Sequence, residues 1–520
     1  MRKNTTADIP FGRYSFLVAI LAGALLTLSF APFKIFPLAF VSTTLLLLLW
    51  QETSAKTAFF RGWLFGVGLF GTGVSWIFVS IYTYGHAPFI FALFLTCLFV
   101  AILSIFPALS GYCLNRFFRT PNFTKFVYAF PVMIVFFEWM RSLFFSGFPW
   151  LTIGYSQIDS PLRGYAPFFS VYGVSLFTLC CSGLLLATYY AYRAQDRKKV
   201  YSYLFSIVTI LVVGQVLAMI HWTQPAGPPV KVSLVQGNIP QDIKWSQDQV
   251  QNSLNTYTDL TQPHWDSKII VWPESAIPTS LENAEEFVNA LNAEAIEKKV
   301  TLITGVPIRV DNTDSYYNAI ISLGAEKSFY LKHKLVPFGE YIPFRNWLNK
   351  FLDILHISDM SMTMSDFKPS NMKNKPMLAD KIKISAFICY EIAFPEMVIT
   401  HDSTINMLLT VTNDAWFGHS IAQAQHLEMA QMRALELERP LLFVSNDGLT
   451  AVINAFGKIQ SIAPPHIAYV LTDTVQPMKG TTSWQRRSMD AVLVMMVSFL
   501  FLSWRRRNSD PIIHTFTRKS

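Results

Sequence analysis

Three short segments of this chain combine residue types that can carry covalent acyl chemistry: Trp272-Pro273-Glu274-Ser275, the stretch from Lys332 to Glu340, and Ile388-Cys389-Tyr390-Glu391. A thiol can attack a carbonyl carbon, a carboxylate can take the thiol's proton, and an ammonium can steady the developing oxyanion. Each segment carries its polar residues at a place where a strand would end. On residue type alone a second reading stands beside this one. A cysteine closing an apolar strand is more often inert packing, and a Glu or Lys near a turn is more often a solvated surface residue. Lys332 and Lys334 are two positions apart and would share one face of a strand, so periodicity leaves either as the cation.

The elements that must position these groups lie in 222–487, where apolar runs are short, Gly, Asn and Asp punctuate them, and charge returns at ordinary density. Strands are expected at Val230–Gln236, Ile269–Trp272, Thr301–Val306, Ala319–Leu323, Ile382–Cys389, Ile405–Val411, Leu441–Ser445 and Ala451–Asn454. Helices are expected at Glu282–Lys298, with Ala284, Phe287, Val288, Leu291 and Ala295 at helical spacing, and at Ile421–Glu438. Their alternation implies a layered α/β sandwich.

The rest of the chain is of another kind. Of 520 residues 52% are apolar and only 15% charged, where soluble domains carry about 25% charge. Apolar runs near 13–31, 36–50, 57–80, 88–113, 125–145, 169–192, 201–221 and 488–504 read as eight membrane spans, the first a retained anchor rather than a cleaved leader. The expected organisation is a polytopic α-helical membrane domain over 1–221 with seven of these helices, an α/β domain over 222–487, and an eighth helix with a basic tail over 488–520. One set of alternate loops is rich in Lys and Arg, among them Lys56, Arg119, Lys198 and Arg505, while the opposite short loops hold Lys34 and Arg163. The positive-inside rule then puts both termini in the cytoplasm and 222–487 outside it. The net charge of +8 is accounted for by this topology, which removes the main argument for nucleic-acid binding.

Cys97, Cys113, Cys180, Cys181 and Cys389 show no metal-ligand spacing, so neither a disulfide framework nor a zinc site is expected. His333, His419 and His426 lack partners at metal spacing and read as core or surface histidines; no metal or other cofactor is called for. Glu138 and Arg141, at i, i+3 spacing near the end of a span, suit a structural pairing or a lipid-headgroup role better than chemistry. Gly62, Gly66, Gly68, Gly71 and Gly73 suit close helix approach better than phosphate binding.

Taken in order, the three segments resemble the Glu-Lys-Cys signature of the nitrilase superfamily of carbon–nitrogen hydrolases. A fuller set resembles the apolipoprotein N-acyltransferase family of bacterial inner membranes: Val235-Gln236-Gly237-Asn238-Ile239-Pro240-Gln241 followed by Lys244-Trp245, then Leu335-Val336-Pro337-Phe338-Gly339-Glu340-Tyr341, Thr412-Asn413-Asp414-Ala415-Trp416-Phe417, Glu138-Trp139-Met140-Arg141 and Gly147-Phe148-Pro149-Trp150. The resemblance implies a nitrilase-like αββα sandwich. It implies Glu274 as general base, Lys332 as stabilising cation, eight residues before Glu340, and Cys389 as nucleophile. Trp245, Glu340, Tyr390 and Glu391 match further positions needed for activity.

The same resemblance implies a membrane phospholipid such as phosphatidylethanolamine as acyl donor, a thioester on Cys389, and an apolipoprotein with an S-diacylglyceryl N-terminal cysteine as acceptor, in a ping-pong cycle. A peptide α-amine ordinarily titrates at about 7.7–8.0, so a fair fraction is neutral near pH 7 and can attack a thioester without a strong base. A nearby Lys cation should also favour the Cys389 thiolate. Drawing a palmitoyl-length chain into water costs on the order of 12 kcal/mol at about 0.8 kcal/mol per CH2, so such an enzyme must go to the lipid. Phe351–Phe367, holding Met360, Met362 and Met364, would serve either as an apolar flap over the opening or as an ordinary packed loop. Two rivals share parts of this reading: a membrane-tethered nitrilase-family amidase using water as acceptor, and a transporter or receptor whose outer domain only binds ligand.

Overall fold

The computed structural model describes residues 12–310, 313, 315–337, 339–341, 367–399 and 402–506. The chain divides into two compact units, one of Met1–Ser75, Leu93–Ile220 and Arg487–Ser520, the other of Trp76–Ala92 and His221–Arg486.

The first unit is helical. Among the described residues, Phe89–Phe117, Lys125–Leu143, Pro161–Arg193 and Arg197–Leu217 are long and apolar enough to cross a membrane, and Ala55–Gly73 with Ile77–Tyr84 makes a fifth if counted as one broken span. Gly12–Thr27 and Pro37–Leu49 are shorter apolar helices, and Met489–Arg505 has 17 residues. The expected continuous span over 57–80 is therefore interrupted: the helix stops at Gly73, where Val74 leaves helical geometry at φ −130°, and Trp76–Ala92 groups with the second unit. The glycines do serve close approach. A Cβ on Gly68 would stand 2.0 Å from the Ile20 carbonyl, and one on Gly62 2.5 Å from that of Pro107, so backbones meet where only hydrogen fits. Gly71 is the exception, facing open space. Glu138 accepts from the Ile153 amide at 2.8 Å, and Arg141 donates to the Phe148 carbonyl at 2.9 Å and to that of Trp150. Both thus pin the loop after their helix, a structural contact different from the pairing expected of them.

The second unit is built from two six-stranded sheets. In the first, β2 (Val230–Gln236), β3 (Ile269–Val271) and β4 (Thr301–Arg309) run parallel at the centre, flanked by antiparallel β5 (Tyr316–Leu323), β6 (Ser328–Leu331) and β13 (Tyr469–Val475). In the second, β8 (Ile382–Ile388), β9 (Met407–Thr412) and β10 (Leu441–Ser445) are parallel, flanked by antiparallel β7 (Met377–Ala379), β11 (Ala451–Ile453) and β12 (Ile459–Ile462). A separate ribbon pairs β1 (Thr223–Pro225) with β14 (Met478–Gly480).

Side-chain alternation along the strands explains the layering. Ile269 and Val271 of β3 meet Ile384, Ala386 and Ile388 of β8 and Leu442 and Val444 of β10 in one core between the sheets. The intervening Ile270 and the following Trp272 point the other way, against Leu254 and Tyr257 of the Gln247–Thr261 helix and Leu291 and Ala295 of the Glu285–Lys298 helix. On the far side the Ala422–Leu437 helix lies against β10, where the His426 and Phe443 rings meet edge-on at 5.1 Å. Helix, sheet, sheet, helix is the αββα order.

One glycine of β4 sets how tightly the strand ends can pack. A Cβ on Gly305 would come within 2.5 Å of the Ser275 amide nitrogen and 2.8 Å of the Glu274 Cα. The bare backbone lets Gly305 exchange bonds with this turn, donating to the Pro273 carbonyl and accepting from the Ile277 amide, both at 3.2 Å. Gly305→Ala must push the turn away, and overpacking of this kind costs about 1–3 kcal/mol. Thermal unfolding of the purified variant is expected to show that loss; an unchanged midpoint would mean the turn yields freely.

Candidate active site

Glu274, Lys332 and Cys389 all stand just past strand ends. Glu274 follows β3, Lys332 follows β6, and Cys389 follows β8. Parallel strands deliver side chains to their carboxyl edges, where the turn to the next element frees the chain from ladder geometry. Two of these turns are strained: Cys389 at φ +53° and Ser275 at φ +48° occupy the left-handed region that a Cβ makes costly. For the cysteine this is the sharp turn from β8 into the short helix Cys389–Ala393.

The ammonium of Lys332 is the hub. It lies 2.8 Å from Glu340 Oε1 and 3.4 Å from Glu274 Oε1, with 1% of its side chain exposed. Asn318 of β5 braces both carboxylates, its Nδ2 donating to Glu274 Oε1 at 2.7 Å and Glu340 Oε1 at 2.9 Å. Burial pulls the Lys332 amine down, but the charges of Glu340, Glu274 and Cys389 together outweigh it and hold the amine above the ordinary lysine range. It is a fixed cation. Lys334 is not its substitute: its ammonium sits 3.5 Å from the centre of the Phe394 ring, and burial lowers it to about 8 against the pull of Glu396 and Glu391. Strand geometry no longer applies past Leu331, so the two lysines part.

Cys389 is partly exposed. Its thiol is pushed well above the usual range by burial first and by Glu274 next, while Lys332 and a hydrogen bond with Thr412 act the other way. The expected effect of the lysine is present in sign and smaller in size. Burial and the Glu274 charge thus oppose the ionised sulfur, and the Lys332 charge favours it.

Glu391, wholly buried, is a clamp rather than a reactant. Its Oε1 accepts from the His333 and Lys334 amides at 2.7 and 3.1 Å, and its Oε2 from the Tyr330 hydroxyl at 2.8 Å and the Ile388 amide at 2.9 Å. One carboxylate thereby fixes the exit of β6, which carries Lys332, to the residue before Cys389. Tyr390 is buried edge-on against Phe394, with ring centres 5.0 Å apart. Trp245 remains 45% exposed in the turn ahead of the Gln247–Thr261 helix and is not drawn into the buried cluster. Its neighbour Lys244 is: the ammonium donates to the Glu274 carbonyl at 3.1 Å, and burial lowers it to about 8 although Glu274 opposes.

Sequence reasoning passed over Lys244 as a participant, along with Asn318, Tyr330 and the paired Asp414 and His426. Lys244 and Asp414 stood within quoted motifs, but Asn318 lies inside an apolar strand and His426 inside a helix, with nothing local to mark them. Among the described residues no group of three or more His, Cys, Asp or Glu is arranged to hold a metal ion. The proposed flap at Phe351–Phe367 lies outside the described residues except for Phe367. Glu391→Gln replaces one acceptor oxygen by a donor, leaving two buried N–H or O–H groups unmet at a cost of about 1–3 kcal/mol each. A matching drop in unfolding free energy, with slower alkylation of Cys389, is the expected result.

Residues 22–184 match the family model of the apolipoprotein N-acyltransferase N-terminal domain, and residues 231–484 that of carbon-nitrogen hydrolases. An apolipoprotein N-acyltransferase of Coxiella burnetii is 42% identical over 492 residues, covering 94% of this chain and 99% of that protein. One of Methylococcus capsulatus is 41% identical, covering 90% of this chain and 91% of its own length. Among solved structures, a carbon-nitrogen hydrolase from Helicobacter pylori aligns with a TM-score of 0.36 at 15% identity, over 52% of this chain and 94% of that one. A helical unit carrying apolar spans and a strand-end cysteine beside a paired lysine thus occur in a chain that, by similarity along nearly all its length, belongs to the apolipoprotein N-acyltransferase family, acyl-transferring enzymes of the carbon-nitrogen hydrolase superfamily.

Proposed function

We propose that the protein moves an acyl chain from a membrane phospholipid, such as phosphatidylethanolamine, to the α-amine of an S-diacylglyceryl-cysteine apolipoprotein through a thioester on Cys389. The observation that carries this reading is the buried Lys332 ammonium held by Glu274 and Glu340 beside the partly exposed cysteine. Glu274 takes the thiol proton as sulfur attacks the ester carbonyl. Lys332 faces the oxyanion. Collapse of the tetrahedral intermediate breaks the ester C–O bond, and the proton on Glu274 passes to the departing lysophospholipid oxygen. In the second half the neutral amine attacks the thioester, its proton moves to Glu274, the C–S bond breaks, and the thiolate recovers the proton. Ester and thioester are close in energy, so the first half is reversible, whereas amide formation drives the second.

The setting belongs to the proposal. The Lys and Arg distribution supports a bacterial inner-membrane protein with both termini cytoplasmic, helical segments over 1–221 and 488–520, and a periplasmic catalytic domain over 222–487. Trp245 and Tyr390 are assigned to the substrate approach, Glu340 to holding Lys332, and Glu391 to the clamp. Water must be kept from the thioester, or phospholipid would merely be hydrolysed.

Incubation with phospholipid alone should add one acyl-chain mass to the peptide containing Cys389, and Cys389→Ala should abolish it. Undiminished labelling of that variant would place the nucleophile elsewhere. Glu274→Gln should slow single-turnover acylation by about 10²–10⁴-fold, the usual contribution of a positioned base, and an unaltered rate would remove it from that role. Adding a diacylglyceryl-cysteine peptide should discharge the adduct as amide; release as free fatty acid alone would point to hydrolysis.

A further inference from the structure

The left-handed turn at Cys389 has to be held against its own strain. The side chain that meets its backbone carbonyl is His426, whose Nε2 lies 3.2 Å from the Cys389 oxygen. A carbonyl oxygen only accepts, so Nε2 is the donor. The other ring nitrogen, Nδ1, faces the Asp414 carboxylate at 3.0 and 3.2 Å from its two oxygens. Asp414 is fixed in turn: Thr412 Oγ1 donates to its Oδ1 at 2.7 Å, and its own amide donates to Ser445 Oγ at 3.2 Å. His426 and Asp414 are both wholly buried, and the rings of Phe417 and Phe443 stand edge-on to the imidazole at 6.3 and 5.1 Å.

Burying a histidine and a carboxylate costs several kcal/mol unless each is bonded, and a phenyl ring would fill the same space without that cost. What the polar pair supplies and a phenyl ring cannot is a rigid donor aimed at the nucleophile's backbone. Of the two sequence readings of His426, core or surface, its burial selects the core, and neither anticipated this contact.

We propose that His426, oriented by Asp414, is a positioning residue for the acyl transfer: its hydrogen bond to the Cys389 carbonyl holds the left-handed turn and keeps the sulfur within reach of Glu274 and Lys332. The inference rests on Cys389 being the nucleophile. It assigns His426 no proton transfer and no contact with substrate.

Two substitutions separate the halves of this device. In His426→Gln the amide nitrogen reaches the level of Nε2 and can donate to the Cys389 carbonyl. In His426→Asn it reaches only the level of Nδ1, so Asp414 keeps a partner and Cys389 loses one. Single-turnover acylation by dipalmitoylphosphatidylethanolamine in detergent micelles, followed by intact mass, reads the outcome in the full-length protein. His426→Asn is expected to be slower by about 100-fold, the scale of a misplacement near 1 Å, with the apparent KM for lipid unchanged; His426→Gln is expected to remain within about tenfold of the parent. Equal rates for the two folded variants would overturn the inference. Should His426→Asn fail to fold, a folded His426→Gln slower than the parent by more than about 100-fold overturns it equally. A parent protein that takes up no acyl group at Cys389 refutes the nucleophile and this inference together, whereas an acylated parent with indifferent variants refutes this inference alone.

Discussion

The site is organised by one buried ammonium. A lysine amine taken out of water loses several kcal/mol of hydration, and only charge partners in good geometry restore it. Lys332 has two, Glu340 at 2.8 Å and Glu274 at 3.4 Å, with Asn318 bonded to both carboxylates. The pairing is unequal. The nearer glutamate is also held by the Val336 amide at 2.8 Å, so it is tied to the backbone as well as to the cation.

The sandwich exists, for this purpose, to bring four strand ends together. β3 and β6 from one sheet supply the carboxylate and the cation; β8 and β9 from the other supply the thiol and the Asp414 that steadies His426. Cross-sheet bonds then fix the distance between the halves. Glu391, following β8, grips the amides after β6, and Asn446, following β10, accepts from the Tyr257 hydroxyl and donates to Ile239 beyond β2. The apolar core between the sheets sets their spacing, and these polar ties set their register.

Much of this was legible in the sequence, because strand cores and strand ends are local features. The eight expected strands all occur, within a few residues of their bounds, and Glu274, Lys332 and Cys389 lie at the expected places. What escaped has physical reasons. β6, β7, β12 and β14 are short edge or ribbon strands, and the longer β13, itself an edge strand, is largely half-exposed; such strands need little apolar alternation. The Gln247–Thr261 helix is mostly polar and shows a thin stripe of Val250, Leu254, Tyr257 and Leu260, a pattern easily passed over. Lys332 and Lys334 could not be told apart by a two-residue period, because the strand that would impose that period has already ended. Asn318 and His426 act through partners tens of residues away, which no local pattern encodes.

The division of the chain into units has one more result. Because Trp76–Ala92 belongs with His221–Arg486, the polypeptide passes between the two bodies at Ser75/Trp76, Ala92/Leu93, Ile220/His221 and Arg486/Arg487. Within the sandwich unit, Trp76 packs edge-on to Phe417 at 4.7 Å, Tyr84 packs on Trp416 at 5.7 Å, and Ser80 donates to the Trp416 carbonyl at 2.7 Å. A fragment cut at the obvious linkers, 221 to 486, would therefore come away lacking a piece of its own packing, with Trp416 deprived of Tyr84 and Ser80 and Phe417 of Trp76. The sandwich unit is thus discontinuous in sequence, assembled from Trp76–Ala92 and His221–Arg486.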